Sequence, residues 1–209
     1  MKIALWTVSV FIVLNLLQST MPVTANPILF VPTGNTLTTG QFRAEAAFSP
    51  NNENGKYFWL GAGFLQFEAN LIRFESPSGD KENLIGAQWN FLPETLLTPG
   101  ISFGVKDIAS ESAEGIGGYL AITKNIPIGK AVSLVKDFSA TVGVGVGGIK
   151  GVFAGFEAKL PMGFFVQGEY DSQDINAAAG WQPIKILRLK AYSLRKEFFF
   201  GAELVPALF

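Results

Sequence analysis

From about residue 36 to the end of the chain, hydrophobic and polar positions change places every second residue. Phe42, Ala44, Ala46 and Phe48 fall on one side of an extended segment, with Gln41, Arg43 and Glu45 on the other. Ile85, Ala87, Trp89 and Phe91 likewise oppose Gly86, Gln88 and Asn90. Phe138, Ala140, Val142, Val144 and Val146 oppose Ser139, Thr141, Gly143, Gly145 and Gly147. A period of two puts successive side chains on opposite faces of a β-strand. The pattern predicts strands over approximately 36–48, 56–63, 66–75, 83–92, 100–108, 117–125, 137–147, 151–160, 163–171, 174–182, 185–194 and 197–205. These are 12 segments, of which 10 survive if two are merged or irregular; 126–136 reads as either loop or strand. Most approach the roughly 9–11 residues of a tilted membrane-spanning strand, against about 5–6 in soluble domains.

The connections between these segments take turns between two chemistries. One set is polar: 49–55, 75–82, 109–115, 147–150, 171–174 and 195–197. The other carries proline and fewer charges: 92–99, 125–130, 160–163 and 182–185. Successive connections of an up-and-down barrel lie at opposite ends, so this alternation is what that topology predicts. No linker, low-complexity tail or solenoid repeat interrupts it, which makes 26–209 one domain.

Each strand taken alone fits two folds. In a soluble sandwich the apolar face turns inward. In a membrane barrel it turns outward, and the polar face lines the lumen. The lumen face would then hold Arg43, Glu45, Gln66, Glu68, Asn70, Gln88, Asn90, Lys106, Lys124, Glu157, Lys159, Gln167, Glu169, Asp171, Arg188 and Lys190. Three features favour the barrel. Mean hydropathy is positive, +0.30, although no apolar helix of membrane length remains after the first segment. Aromatic residues sit near strand ends, where interfacial girdles belong: Tyr57, Phe58 and Trp59; Trp89 and Phe91; Tyr170; Trp181; Phe198, Phe199 and Phe200. The chain ends on Phe209, as outer-membrane barrels end on an aromatic residue, with Glu203 and Pro206 disturbing the final strand. The expected fold is an all-β, antiparallel up-and-down transmembrane barrel of about 10–12 strands. The alternative is an exported soluble β-barrel or sandwich that binds a ligand or an envelope partner.

The first 25 residues change the picture of where the chain goes. Lys2 precedes an apolar run from Ile3 to Leu17, and Val23-Thr24-Ala25 places small residues before a cleavage point. This is the pattern of a cleavable secretory signal. The run is shorter than the roughly 20 residues of a spanning helix, and Asn15 interrupts it. With no later apolar helix, the predicted destination is the outer membrane of a two-membrane bacterium. The partners implied there are outer-membrane lipid and the barrel-assembly machinery.

Composition then removes function classes. The chain has 16 Lys+Arg against 17 Asp+Glu, and without Lys2 the balance is 15 against 17, so no basic excess draws it to nucleic acid. It contains no cysteine and no histidine. Disulfides, thiolate chemistry and a lipidated N-terminal cysteine are excluded, as are hydrolytic triads built on histidine. No enzyme, cofactor or metal site is expected. Gly143-Val-Gly145-Val-Gly147-Gly148 matches G-x-G-x-x-G, but its glycines alternate with valines and no helical period follows. It reads as a strand whose inner face must stay small against a bulky neighbour. The oxygen-rich hairpin from Glu169 to Asn176 lacks the spacing of a calcium loop and reads as turn chemistry.

The charged residues of the predicted inner face form the candidate functional group: Arg43, Glu45, Glu157, Lys159, Glu169, Asp171, Arg188 and Lys190. Opposite charges confined in a narrow lumen pair with each other. They would either plug the barrel or line a polar channel.

Gly151-Val-Phe-Ala-Gly-Phe-Glu157, followed by Gly168-Glu169-Tyr170-Asp171 and Asp174-Ile-Asn176-Ala-Ala-Ala-Gly180, resembles the closing hairpins of the YjbH-like outer-membrane proteins. Thr98 to Ile108 resembles their strand pattern as well. The likeness covers roughly the latter half of the mature chain and corresponds to one small barrel unit of a longer family. It implies an envelope role connected with exopolysaccharide export, and an exopolysaccharide or envelope-protein partner.

Overall fold

The structure is a computed structural model and describes residues 29–50, 55–76, 79–128 and 134–206. Residues 1–25, where a signal is expected, lie outside the described residues. Twelve strands run in chain order: β1 (Phe42–Phe48), β2 (Lys56–Phe64), β3 (Phe67–Glu75), β4 (Lys81–Leu92), β5 (Gly100–Lys106) and β6 (Gly117–Pro127), then β7 (Asp137–Gly147), β8 (Gly151–Lys159), β9 (Phe164–Tyr170), β10 (Ile175–Ile184), β11 (Leu187–Leu194) and β12 (Glu197–Leu204). Each pairs antiparallel with its neighbours in sequence, and β1 pairs with β12, from Ala44 opposite Leu204 to Phe48 opposite Phe200. That last ladder closes the barrel, so no strand edge is left unpaired.

The two loop chemistries separate by end. All the polar connections lie at one rim, called here the distal rim. The proline-bearing ones lie at the rim where β1 begins and β12 ends, the terminal rim. Tight distal reversals use residues in the left-handed region, such as Arg195 (φ 47°) and Lys196 (φ 71°) between β11 and β12.

Every strand turns its apolar set outward. Leu60, Leu71 and Ile85 form one row across β2 to β4, and Phe103, Leu120, Val144 and Val152 another across β5 to β8. Charged outward residues cluster toward strand ends. Lys56, Glu75 and Lys81 stand in register at the distal rim beside Arg73, and Lys124 stands near the terminal rim. Aromatic residues mark both rims. Phe67 stacks on Trp89 at 6.1 Å and Phe138 on Phe156 at 6.0 Å toward the terminal rim, and Phe48 meets Phe58 edge-on at 5.7 Å toward the distal one.

Four expectations need correction. Tyr57, Trp59 and Phe199 do not belong to interfacial girdles; they take the inward phase of β2 and β12 and are buried in the lumen. Residues 36–41 do not extend the first strand; β1 starts at Phe42, Leu37 is buried inside the barrel, and 38–41 turn at the terminal rim with Gly40 and Gln41 bonded to Gly63. Glu203 does not disturb the last strand. β12 continues through it to Leu204, with Glu203 pointing inward and fully buried. Lys124 does not line the lumen. It shares the outward phase of Leu120 and Ile122, and its ammonium folds toward the terminal rim to donate to the carbonyls of Thr95 (2.7 Å) and Leu96 (3.0 Å).

The glycines of β7 have the role their spacing suggested. A Cβ on Gly143 would strike the Phe153 ring and the Leu120 carbonyl, and one on Gly145 would meet Ile149. The inner face is therefore glycine because the neighbouring strand and turn send bulky groups across it. Gly143→Leu is expected to destabilise the barrel by about 1–3 kcal/mol through overpacking. A urea midpoint equal to wild type would show that the Phe153 ring has room to move.

Candidate functional site: a lumen shared by an internal strap and an ion cluster

Residues 29–37 form a strap that runs through the lumen, and 38–41 turn at the terminal rim into β1. Leu29, Phe30, Val31, Thr33, Gly34, Asn35 and Leu37 are all buried. The chain bends over Leu29–Val31 and again at Gly34 on its way through. A free main chain in a low-dielectric interior needs partners for its N–H and C=O groups. The barrel wall supplies them from inward-pointing polar side chains.

At the distal end, Glu169 on β9 accepts three consecutive strap N–H groups: Leu29 (2.9 Å), Phe30 (3.0 Å) and Val31 (3.0 Å). Asn176 on β10 holds the same carboxylate from the other side at 2.9 Å, and the Tyr57 hydroxyl donates to the Leu29 carbonyl at 3.2 Å. The Phe30 ring sits edge-on to Tyr57 and Phe74, each 5.6 Å away. Two cations flank that ring, the Arg195 guanidinium at 5.2 Å and the Lys106 ammonium at 5.8 Å. Arg195 is in turn held by both oxygens of Glu82, at 2.9 and 3.2 Å.

Further down, Gly34 donates to the Thr123 hydroxyl at 2.7 Å. Its carbonyl accepts from Asn90 at 2.5 Å and from Ser102 at 2.9 Å. Gln88 donates to the Asn35 carbonyl at 2.9 Å, and the Asn35 side chain donates to Glu94 at 2.8 Å. Leu37 donates its N–H to Glu68 at 2.8 Å. Gly34 is required here by close approach: a Cβ would run into the main chain of Gly100 and Thr123. Beside Pro32 and Thr33 a cavity of about 30 Å³ remains, lined by Trp59, Glu68, Asn70, Gln88 and Tyr119. That is room for about one water molecule.

Its distal end is held from β9, and from Gly34 to Leu37 the strap follows the side of the lumen walled by β3 to β6. The side walled by β8 to β12 and β1 is filled by ion pairs. Glu45 contacts Arg43, takes Lys190 at 2.8 Å and accepts from the Tyr192 hydroxyl at 2.5 Å. Glu203 contacts Lys190 and lies 3.6 Å from both Arg43 and Arg188. Glu157 binds Arg188 at 2.7 Å and accepts from Gln167 at 2.7 Å. Three carboxylates thus face three cations, and the cluster is neutral. Aromatic rings back it, with the Arg188 guanidinium 3.7 Å from the Phe165 centroid and that of Arg43 4.5 Å from Trp59.

Of the eight charged residues expected to form one network, five do so: Arg43, Glu45, Glu157, Arg188 and Lys190. Lys159 lies at the end of β8 on the inward phase, two residues beyond Glu157. Glu169 points inward as expected, but it serves the strap rather than the cluster. Asp171 belongs to the distal turn, where it accepts the N–H groups of Gln173 (3.1 Å) and Asp174 (2.8 Å) and the Asn176 amide at 3.2 Å. Glu203 is the member that sequence reasoning missed. Its inward phase relative to Phe200, Ala202 and Leu204 was the signal that could have found it. Among the described residues, no group of acidic side chains is arranged to hold a metal.

The β5–β6 loop at the distal rim has its own anchor. Asp107, at φ 56°, accepts from the Glu111 N–H, the Ser112 N–H and the Ser112 hydroxyl at 2.9, 2.9 and 2.6 Å. Burial pushes its pKa up, but these hydrogen bonds outweigh that and hold it below the ordinary aspartate value. A lowered folded pKa stabilises the loop above the unfolded value of about 3.9, and the contribution is lost as pH falls through the folded value. Asp107→Asn is expected to loosen the loop by about 1–2 kcal/mol at neutral pH. Faster amide exchange at Glu111 and Ser112 reads this directly; unchanged exchange would remove Asp107 as the anchor.

No protein-family model matches the chain, and no curated protein matches it. The closed twelve-strand barrel is what the structure supports of the YjbH-like resemblance, with no family assignment.

Proposed function

We propose that the protein is an outer-membrane β-barrel whose lumen is filled by its own chain and whose role is structural or that of a narrow, closed pore in the cell envelope. The observation that carries this reading is the outer wall. Large apolar side chains cover it on every strand, including Ile175 at 79% exposure and Val146 at 70%. Charges are confined to the neighbourhood of the rims, and aromatic residues mark both. In water such a continuous apolar surface is an aggregation hazard; in lipid it is the required exterior, and the closed ladder leaves no strand edge open. Twelve strands enclose more space than the roughly 8 that side chains alone can fill, and less than an open porin of 16–18. The strap and ion cluster take up that intermediate volume.

On this reading the polar groups of the lumen hold the barrel closed rather than carry out catalysis. The signal at 1–25 delivers the chain to the outer membrane, where lipid and the barrel-assembly machinery are its partners. The YjbH-like motifs at 98–108 and 151–180 add exopolysaccharide, or a protein that handles it, as the partner class to be tested. Washing membranes with urea is the deciding experiment. The protein should stay with the membrane, leave only in detergent, and migrate differently on a denaturing gel with and without heating. Release by urea into the soluble fraction would replace this reading with the exported soluble barrel.

A further inference from the structure

The strap and the ion cluster fill the lumen side by side, yet they are held differently. From Leu29 to Leu37 the main-chain hydrogen bonds to the wall run through wall side chains. Among the described residues no backbone–backbone bond joins this stretch to a strand. All 12 ladders of the barrel are complete without it. Withdrawing the strap would therefore break side-chain contacts but unzip no strand. The ion cluster sits on the strands themselves and would stay.

The charges facing the strap are not balanced as those of the cluster are. Glu169 and Glu68 direct their carboxylates at neutral N–H groups of the strap. Asp171 and Glu82 stand at the distal mouth, with Lys106 and Arg195 as the cations there. Glu94 stands at the terminal mouth with Lys124, 3.4 Å away. Along the path that the strap occupies, five carboxylates thus meet three cations. A water-filled path with that lining attracts cations and repels anions.

We infer that the strap is a displaceable gate, and that the path it closes conducts small hydrated cations in preference to anions. This rests on the membrane-barrel reading above. The cluster of Arg43, Glu45, Glu157, Arg188, Lys190 and Glu203 keeps the opened path to part of the lumen, which suits ions rather than oligosaccharides. Leu29 to Val31 and the Phe30 ring form the latch at the distal end. Gly34 is the close-fitting point against the wall.

The test uses the mature protein in planar bilayers under a potassium chloride gradient. Gly34→Val places a side chain where only main chain fits and pushes the strap off its seat. A second variant lacks residues 29–37. Wild type should be closed most of the time. Either variant should raise the mean current roughly tenfold and pass potassium over chloride by a ratio of roughly three or more. Adding Glu68→Gln and Glu169→Gln to the deletion should bring that ratio toward unity, and a synthetic peptide of residues 29–37 should block the deletion channel. Should the deletion fail to insert, Gly34→Val alone decides, because it keeps every side chain of the lumen. A variant that inserts and shows the heat-dependent gel shift but stays silent overturns the gate. A current that is unselective or favours chloride overturns the cation path. Loss of wild type to the urea wash is a separate outcome, and it defeats the membrane reading first.

Discussion

Arg43→Ala is expected to be among the most damaging single changes in the lumen, lowering stability by about 3–5 kcal/mol. Arg43 is fully buried, contacts Glu45, lies 3.6 Å from Glu203 and stacks 4.5 Å above Trp59. Removing it leaves Lys190 and Arg188 to neutralise Glu45, Glu157 and Glu203, which puts one uncompensated carboxylate in a buried site. It also opens a void beside the Trp59 ring. Arg43→Lys separates the two causes. It keeps the charge but loses the planar fork and the stacking, and should fall between wild type and alanine. The measurement is the urea midpoint of unfolding from detergent or vesicles, followed by the heat-dependent gel shift. A loss within the roughly 0–1 kcal/mol of an exposed ion pair would mean that water reaches the cluster and screens it.

The second large effect concerns the outer wall. Leu71 stands at the middle of β3, outward, between Leu60 and Ile85. Leu71→Arg should cost about 2–4 kcal/mol if that height is the bilayer midplane. Phe198→Arg, on the same outer surface but one residue into β12 at the distal rim, should cost about 0–1 kcal/mol. A soluble barrel predicts a different pair of numbers, since both positions are exposed and surface substitutions usually stay within about 0.5 kcal/mol. The contrast between two heights is therefore more informative than either value. Urea titration of folding into vesicles supplies both, and equal costs at the two heights would argue against a membrane around this wall.

The two substitutions probe parts of the molecule that were unequally legible. The outward face was readable because its cause is local. A strand alternates its side chains whatever lies around it, so Leu71 and Arg43 could be assigned to opposite faces from their phase alone. The small inner face of β7 followed from the same phase, and its bulky neighbours are Phe153 and Ile149. The two loop chemistries foretold the two rims for a similarly simple reason, since each reversal sends the chain to the other end.

Where local phase was misleading, tertiary contact had overridden it. Residues 36 and 37 end a buried segment whose main chain is satisfied by side chains from six strands, and 38–41 form a turn at the terminal rim in which Gly40 and Gln41 pair with Gly63 rather than with the β1 ladder. Lys124 carries a charge that suggested an inward position. Its long side chain instead reaches loop carbonyls from the outer face, as a flexible cation near a rim can do. In an isolated strand the Glu203 carboxylate is a defect, because nothing there offsets the cost of burying its charge. Three cations from β1 and β11 make that position an asset.

By itself, then, the sequence determined the strands, their phase, the alternation of their turns and the set of charges that must be hidden from an apolar exterior. These follow from periods of two residues and from turn chemistry, which act over short stretches of chain. Only the closed structure decided which charges meet, because partners such as Lys190 and Glu45 are 145 residues apart and are brought together by the β1–β12 ladder. Only it placed residues 29–37 in the lumen. A strap with no period carries no strand signal, and its seat exists only once Glu169, Glu68 and Thr123 have been arranged around one cavity.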